Sequence, residues 1–515
     1  MKKYILLLIS SLILVTSCES WLEEEQFNKV NNEALYKNED GLTVALNGLY
    51  SLTRTFFTFA LSDSYQGIYW FYCADDLSLV RTKNEWYIYR AGMVPDKMPT
   101  EIWNRPYQMI DRASAIITSA PKIEMSTDNK NRIVSEARVI RAWSYIRLLN
   151  TYDNILLDTI PTTPENAFGP VEYKPAIKTD VLKLINSDLD FAIKNLAYKV
   201  DPGIIGKGLA RQLRAESAML GEDYTMAALQ CDSIAEYSGH GLVPINEVFG
   251  DNVNHKETLF AWQYDELSGG SSDKAGGTGN QYGGCFTARF YMLRVAGDTQ
   301  APILESVEYG GNSLGWCYPN SYLRSLYDED VDQRMTHYFY PDELYANNPK
   351  SKYYGQKLPG NPPYSTQLMQ YAWSLKKYHD NSKVPTTARS YKPLVSYRYA
   401  ETCLLGAEAH WRNGNTGKAL EYLNAVRKRA GLDNETTIDL QKVMDEDARE
   451  LCFEGKRWFF LKRIGKLVEQ VNKYHQIGST TSSIVPFPMK DYMVRWPIPQ
   501  SQINVMGTFP QNPEY

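Results

Sequence analysis

The chain has 515 residues, of which 43% are hydrophobic, and a formal net charge of −5 at pH 7. A chain of this length can bury a large core and could form two or three domains. The mildly acidic charge argues against nucleic acid as the main partner, because nucleic-acid-binding domains carry a basic patch or stripe.

The N-terminal residues have the pattern of a secretory signal. Lys2 and Lys3 precede an apolar run to Val15, which is shorter than the roughly 20 residues that a membrane-spanning helix needs. The end of this run, Val-Thr-Ser-Cys at residues 15–18, resembles the lipobox of bacterial lipoproteins. The resemblance implies that residues 1–17 are a lipoprotein signal peptide and that Cys18 is lipidated. The alternative is an ordinary signal peptide with an accidental cysteine.

Residues 18–30 form the predicted lipid anchor and acidic tether, with consecutive glutamates at residues 23–25. An acidic cluster here resembles the surface-export signal of Bacteroidetes lipoproteins; the alternative is a solvated tether, as charge runs usually are. Stable anchoring takes more than one acyl chain. We therefore expect a lipid-anchored outer-membrane protein that faces the cell exterior.

Apolar residues recur at helical spacing through the first half of the chain. In the first of these segments, the spacing places Leu42, Leu46 and Leu49 on one face. Thr179 and Asp180 are predicted to form the N-cap region of the fourth helix. The four predicted helices span residues 39–52, 101–119, 128–150 and 179–198.

An internal repeat follows, because residues 214–234 resemble residues 406–426. Each segment has two small residues with larger apolar residues behind them, which lets two antiparallel helices pack closely as in a tetratricopeptide repeat. The predicted turns lie at residues 221–223 and 413–415. The matched small residues are Ala215 with Ala407 and Ala227 with Ala419.

The region between the two repeat segments differs in composition. Residues 241–395 are rich in Gly, Tyr, Pro and Asn and have poor helical periodicity. Because structureless loops of such length are uncommon in compact proteins, we expect an irregular subdomain with short strands, one of them at residues 258–264. Residues 53–100 are a second, aromatic-rich excursion from the helices.

The sequence contains no specific catalytic signature. The six histidines form no zinc-protease motif, and a phosphate-binding loop and a nucleophile elbow are absent. Glycosidases need two carboxyl groups about 5–10 Å apart, which adjacency along the chain does not provide. We therefore interpret the adjacent carboxylates as solvated turns or cation sites. We predict no cofactor, and the sequence leaves open whether a structural cation is bound. These carboxylates are Asp75, Asp76, Asp328, Glu329 and Asp330.

Cysteines other than Cys18 carry little functional information. None forms a Cys-x-x-Cys pair, and those in helical apolar patterns are expected to act as small hydrophobic residues. Whether a disulfide forms among Cys73, Cys285 and Cys317 cannot be deduced from the sequence.

Aromatic residues are the better indication of a ligand. The chain has 37 tyrosines and 11 tryptophans, and tyrosine suits surfaces where the ring face is apolar and the hydroxyl is wet. Such rings stack on sugars, and a preformed arc avoids the ordering cost of flexible binders. The alternative for each residue is packing between loops and helices, as we expect for Trp103. The candidate ligand-binding residues are Asp75, Arg81, Trp86, Tyr282, Tyr291 and Trp316.

Charged residues between 448 and 463 are predicted to form ion pairs around one apolar helix. The Trp-Pro-Ile-Pro sequence at residues 496–499 cannot be regular helix, because proline removes a donor and fixes φ. We predict an extended tail laid over the repeats, and we interpret both segments as fold determinants. The charged residues are Arg449, Glu450, Glu454, Arg457 and Arg463.

These C-terminal motifs resemble the SusD/RagB family of Bacteroidetes outer-membrane nutrient-binding lipoproteins. The resemblance is carried by five segments that occur in the family's order. They are RAWSYIRLLNTYDNILL at 141–157, RYAE at 398–401, LNAVRKRAGL at 423–432, ARELCFEGKRWFFLKR at 448–463 and WPIP at 496–499. The resemblance implies a mainly α fold of tetratricopeptide-like helical repeats, with an irregular, loop-rich subdomain carrying short strands.

The resemblance also implies a function without catalysis. Proteins of this type bind glycans at the cell surface and deliver them to a SusC-like TonB-dependent transporter. Asp75, Arg81, Trp86 and Trp316 lie loosely in regions comparable to the starch site of such proteins. The alternatives are a peptide-binding lid of the RagB type, a glycoside hydrolase, or a scaffold that binds only its transporter.

The predicted organisation divides the chain into five parts. They are the signal peptide 1–17, the anchor and tether 18–30, an N-terminal helical region 31–240 containing the excursion 53–100, an irregular insert 241–395, and a C-terminal region 396–515 with the second helical pair and the tail.

Overall fold

The computed structural model describes most of the chain beyond the N-terminal segment. The predicted signal peptide, Cys18 and the tether therefore lie outside the described residues. The described ranges are 35–58, 74–79, 93–98, 100–170, 172–265, 279–359, 369–477 and 488–515.

The fold is mainly α, with short strands, as predicted. Six helices precede the insert: α1 Glu39–Phe57, α2 Thr100–Ser119, α3 Thr127–Thr151, α4 Lys178–Asn195, α5 Lys207–Leu220 and α6 Tyr224–Tyr237. The insert contributes the short helices α7 Ile245–Val248, α8 Tyr282–Phe286, α9 Ser321–Ser325 and α10 Arg334–Tyr338. After it come α11 Tyr399–Arg412, α12 Thr416–Arg429, α13 Leu440–Leu451, α14 Arg457–Arg463, α15 Leu467–Tyr474 and α16 Gln500–Met506. The strands are β1 Leu77–Leu79, β2 Thr258–Trp262, β3 Cys317–Pro319, β4 Leu394–Arg398 and β5 Gln476–Ile477.

The long helices form one continuous array. From α1 to α6 each helix packs against the next, and α6 then packs against α11, which packs against α12. The whole insert therefore leaves the array after α6 and returns to it at α11. Leu42, Leu46 and Leu49 of α1 are buried in this array as their spacing predicts, and so is Trp103 of α2.

The two repeat units have matching turns, which confirms the repeat prediction. Asp223 and Asn415 cap α6 and α12 with nearly identical backbone angles, φ −87° with ψ 74° and φ −87° with ψ 70°. Glu222 and Gly414 precede them at φ 60° and 75°. The four matched alanines, Ala215, Ala227, Ala407 and Ala419, are fully buried. Small residues thus permit the close helix packing that the pattern indicated.

Two local predictions need correction. Helix α4 begins at Lys178 after Ile177, so Thr179 and Asp180 lie in its first turn and do not cap it. The segment 448–463 is also not one helix, because Phe453 adopts a positive φ of 61° and α13 ends before it. The charged side chains of this segment consequently reach partners far away along the chain.

A buried ion-pair cluster joins the insert to the repeats. Glu450 of α13 accepts hydrogen bonds from Arg398 at 2.6 Å and from Arg334 at 3.1 Å, and it also pairs with Arg429. Although burial alone raises the pKa of Glu450, the guanidinium groups hold it well below its usual range. Because an unpaired buried charge costs several kcal/mol, the cluster fixes the insert against α11 to α13.

The insert is irregular and carries short strands, as predicted. Strands β2 and β4 pair in antiparallel fashion, and their β-branched and aromatic residues suit this ladder. A separate apolar cluster around Phe290 and Tyr340 gives the insert a core of its own. The acidic turn at residues 328–330 is exposed, and Glu329 accepts from Arg324 Nε at 2.7 Å. The domain boundaries themselves stay a prediction.

The C-terminal tail lies over the helical array, as predicted for the Trp-Pro-Ile-Pro sequence. The backbone N–H of Trp496 donates to the carbonyl of Thr151 at 2.8 Å, and the Trp496 side chain is fully buried. Asn512 accepts from the backbone N–H of Asn154 at 2.8 Å. The tail is not extended throughout, since α16 follows Pro499 directly. Within the described part of the chain, no helix has the length and apolar character needed to cross a membrane.

Candidate functional site

A three-stranded sheet has two of the predicted ligand residues next to its strands, Asp75 before β1 and Trp316 before β3. Its strand order is β3-β1-β5, with β1 antiparallel to β3 and parallel to β5. On both sides of β1 the chain leaves the described residues, at 59–73 and at 80–92. The predicted site residues Arg81 and Trp86, and Cys73, fall in these ranges and so lie outside the described residues.

The start of β1 is held by three contacts from distant parts of the chain. Asp75 accepts from Arg457 Nε and Nη2 at 2.9 and 2.8 Å. Asn320 Nδ2 donates to the backbone carbonyl of Asp75 at 2.7 Å, and His475 Nδ1 bonds the carbonyl of Ala74 at 2.9 Å. These contacts therefore fix the position of the start of β1.

The structure places three of the predicted ligand residues in the core. Asp75 and its neighbour Asp76 are buried, which corrects their interpretation as a solvated turn. Trp316 is 1% exposed, and Tyr282 donates its hydroxyl to the carbonyl of Phe57 at 3.3 Å. In this conformation the packing alternative therefore describes Asp75, Tyr282 and Trp316.

Asp75 and Trp316 are also separated by the strand geometry. Leu77 pairs with Pro319 and Leu79 with Cys317, so Asp75 precedes one end of this ladder and Trp316 precedes the other. The two residues do not form one arc within the described part of the chain. Cys285 and Cys317 are both buried, and no disulfide joins them.

Tyr291 differs from these residues because its side chain is only partly buried. It lies in a short 3₁₀ turn, Phe290–Met292, whose Phe290 is anchored in the insert's own core. Arg289 fixes this turn by donating from its backbone N–H to the carbonyl of Met369 at 2.7 Å and from Nε to the carbonyl of Leu314 at 3.0 Å. A ligand contact by Tyr291 stays a prediction that this geometry permits.

Sequence reasoning did not find a polar cavity on another face of the insert. This cavity, of about 510 Å³, lies between α7, α10 and the segment 376–392. Each of these elements supplies only a few polar residues, so no local motif indicated it. Its lining includes Ile245, Asn246, Glu247, Phe249, Asp251, Asn252, His255, His337, Lys376, His379, Asn381 and Lys392.

The cationic and imidazole groups of the polar cavity have unequal environments. Lys392 donates to the carbonyls of Phe249 and His379 at 2.9 and 2.7 Å, and burial lowers its pKa to about 8. Burial and then the charge of Lys376 lower the pKa of His337. For His379, burial is again the main cause of a lowered pKa, with Lys376 and Lys392 adding to it.

No group of three or more His, Cys, Asp or Glu side chains suited to a metal ion occurs among the residues described. The histidines of the polar cavity are already engaged in part: His255 Nε2 bonds the carbonyl of Val248 at 3.2 Å and His379 Nδ1 bonds the Tyr340 hydroxyl at 2.7 Å. The predictions on cofactors and a structural cation stay predictions.

Two family models match this chain. The model described as "SusD family" matches residues 256–515. A second, described as "Starch-binding associating with outer membrane", matches residues 20–204. Together they take in both the N-terminal helices and the C-terminal repeat and tail.

Individual proteins resemble the chain over nearly its whole length. A curated relative, SusD-like protein P38 of Formosa agariphila, is 25% identical over 513 residues, or 91% of this chain and 93% of the relative. A solved laminarin-binding SusD-like protein superposes with a TM-score of 0.71 at 22% identity, covering 93% of this chain and all of the other. Surface glycan-binding protein A from Bacteroides thetaiotaomicron in complex with laminarihexaose gives a TM-score of 0.71 at 20% identity, covering 92% and 100%. At these identities the superpositions establish a shared fold.

Proposed function

This chain belongs to the SusD family, and we propose that it binds glycans at the cell surface and delivers them to a SusC-like TonB-dependent transporter. The observation that carries the proposal is the match along almost the full chain to glycan-binding proteins of the same fold. One of the two matching family models is itself described as starch-binding.

The protein is a binding protein and not an enzyme. The similar proteins include a laminarin-binding SusD-like protein, a surface glycan-binding protein in complex with laminarihexaose and a starch-binding protein. A rigid frame suits this task, because a site that is already ordered loses less free energy on binding than a flexible one. The contacts of Asp75, Asn320 and His475 give β1 such a frame next to the predicted ligand residues.

The test of glycan binding uses soluble protein that lacks residues 1–18. Isothermal titration against a panel of oligosaccharides and peptides should give saturable binding for at least one oligosaccharide, and chromatography should recover that oligosaccharide uncut. Binding restricted to peptides would replace the proposal with the peptide-lid alternative. Release of new reducing ends would replace it with the hydrolase alternative.

We further propose that Cys18 carries the lipid and that the protein faces the cell exterior. The lipobox-like sequence at residues 15–18 supports this proposal, together with the family description that mentions the outer membrane. Mass analysis of the mature protein should show an N-terminal acylated Cys18, and Cys18→Ala should release the protein from the membrane fraction. Recovery of an unacylated protein from the periplasm would contradict the proposal.

Delivery to a transporter is tested by co-purification. The full-length tagged protein, extracted from its native outer membrane with mild detergent, should bring down a TonB-dependent barrel protein. Purification from a strain that lacks the barrel gene provides the control. Glycan binding without any barrel partner would contradict delivery and indicate that the protein binds glycans at the surface independently of a transporter.

A further inference from the structure

The polar cavity between α7, α10 and residues 376–392 is a second place where this protein could hold a ligand. It is reached from solvent, because Asn246, Glu247, Asp251, Asn252 and Asn381 at its rim are exposed. Its volume of about 510 Å³ lies within the roughly 300–1,000 Å³ typical of small-molecule sites. It shares no residue with the β1 sheet, so it is distinct from the region of the predicted glycan contacts.

Lys376 makes no ion pair with the described residues of this cavity, although Glu247 and Asp251 also line it. Lys376 has no ion-pair or side-chain hydrogen-bond partner among the described residues. By contrast, Lys392 is held by two backbone carbonyls. Asp251 accepts instead from Asn381 Nδ2 at 2.7 Å. Lys376 is therefore the cation available to an incoming anionic group.

The His337 ring likewise has no hydrogen-bond partner within the described part of the chain. Because burial and Lys376 lower its pKa, the ring is neutral near pH 7 and offers one donor and one acceptor. That combination suits a hydroxyl group, which also has one donor and acceptor lone pairs. The exposed amides of Asn246 and Asn252 add further donors and acceptors at the rim.

The lining favours a hydroxylated ligand over a peptide. Its apolar residues are Ile245, which is 5% exposed, and Phe249. The ring of Phe249 is already in contact with the cations of Lys377 and Arg398, at 5.3 and 5.4 Å from its centroid. No open apolar pocket is therefore left in this lining for a peptide side chain.

We propose that the polar cavity binds a uronic acid unit of an acidic oligosaccharide, with the carboxylate at Lys376 and sugar hydroxyls at His337 and the rim amides. The proposal rests on the proposed glycan-binding function and adds a second site with its own chemical class. Lys376 and the carboxylate form a charge-assisted pair, which is worth more than a neutral hydrogen bond. Neutral sugars lack this contribution and bind the cavity more weakly.

The test compares trigalacturonate with its neutral methyl ester by isothermal titration, using soluble protein that lacks residues 1–18. Wild type should bind the acid form about tenfold more tightly. Lys376→Gln should remove that preference, whereas Lys122→Gln should keep it, because Lys122 is an exposed lysine away from the cavity. Equal affinity for the two forms, or an unchanged preference in Lys376→Gln, would overturn the proposal. Tighter binding of an acidic tripeptide would assign the cavity to peptides instead.

A second measurement locates the ligand. A carboxylate bound at Lys376 opposes the charge that lowers the pKa of His337, so galacturonate should raise that pKa in an NMR titration, with His410 as the internal reference. Glu247, Asp251, His255, His379 and Lys392 also line the cavity and are present in both samples. No shift of His337 at saturating galacturonate would overturn the site. If neutral glycans bind as well as before, the proposed function survives that result; if no glycan binds at all, both proposals fail.

Discussion

Asp75 and Arg457 form a buried bidentate ion pair although 382 positions separate them in the sequence. Arg457 also donates to Asp447 at 2.8 Å, so one guanidinium links α13, α14 and the residue that leads into β1. The carboxylate that the sequence suggested as a sugar contact therefore holds the strand in place.

Asp75→Asn should lower the free energy of unfolding by about 3–5 kcal/mol, because it leaves Arg457 with a weakened partner in the core. Urea or guanidinium denaturation measures this loss. Glu469→Gln is the matched control, since Glu469 pairs with Lys466 on the surface and such pairs contribute at most about 1 kcal/mol. Unchanged stability together with lost glycan affinity would return Asp75 to the list of ligand contacts.

His475 should make the protein less stable in acid. Burial lowers its pKa from 6.5 to about 4 in the folded protein. Between these values the unfolded chain takes up a proton that the folded chain does not, so stability falls as the pH falls through this window, by up to about 3 kcal/mol.

The pH effect of His475 is the difference in free energy of unfolding between wild type and His475→Gln, measured by denaturation between about pH 4 and 6.5. The comparison is needed because burial and then the charge of Asp75 raise the pKa of Asp76 to about 7. Asp76 therefore changes stability in the opposite direction, since the folded state holds its proton more tightly. A difference that does not vary with pH would contradict the role assigned to His475.

The two repeat turns provide a matched pair of backbone tests. Gly414→Ala should cost about 1 kcal/mol, because its φ of 75° disfavours a side chain while no neighbouring atom within 4 Å obstructs one. Glu222→Gly should stabilise the equivalent turn by up to about 1 kcal/mol, since Glu222 is exposed and has a φ of 60°. Denaturation midpoints measure both changes. If both substitutions shift the denaturation midpoint in the same direction, the two turns are not equivalent.

Tyr291 and Trp316 should separate ligand contact from packing. Tyr291→Ala should weaken binding of the preferred glycan about tenfold, or about 1.4 kcal/mol, with little change in unfolding. Trp316→Ala should destabilise the fold by about 3–5 kcal/mol, because it empties a fully buried position. Titration and denaturation of both variants check these outcomes. Loss of affinity only in Trp316→Ala at full stability would reverse the two assignments.

Sequence patterns predicted the helical part of the fold well. Leu42, Leu46 and Leu49 follow the helical period, and the repeat predicted both the antiparallel helix pairs and the turns before Asp223 and Asn415. These features depend on neighbours within a few positions, where spacing along the chain fixes spacing in the structure. The C-terminal motifs likewise identified the family.

The local sequence could not predict where side chains of the irregular parts lie. An aromatic residue in an irregular segment gives the same sequence pattern whether it is partly exposed, like Tyr291, or buried, like Trp316. The polar cavity was also missed, since His337 and Lys376 come from separate segments without a shared period.

The sequence by itself therefore determined the helical repeat, its turns and the family, because local periodicity and residue size decide how neighbouring helices form and pack. Only the tertiary structure decided that Asp75 forms an ion pair with Arg457, that Trp316 is buried in the core and that Lys376 lines a cavity. Burial and charge pairing depend on which distant segments come together, and that information is not present in the residues on either side.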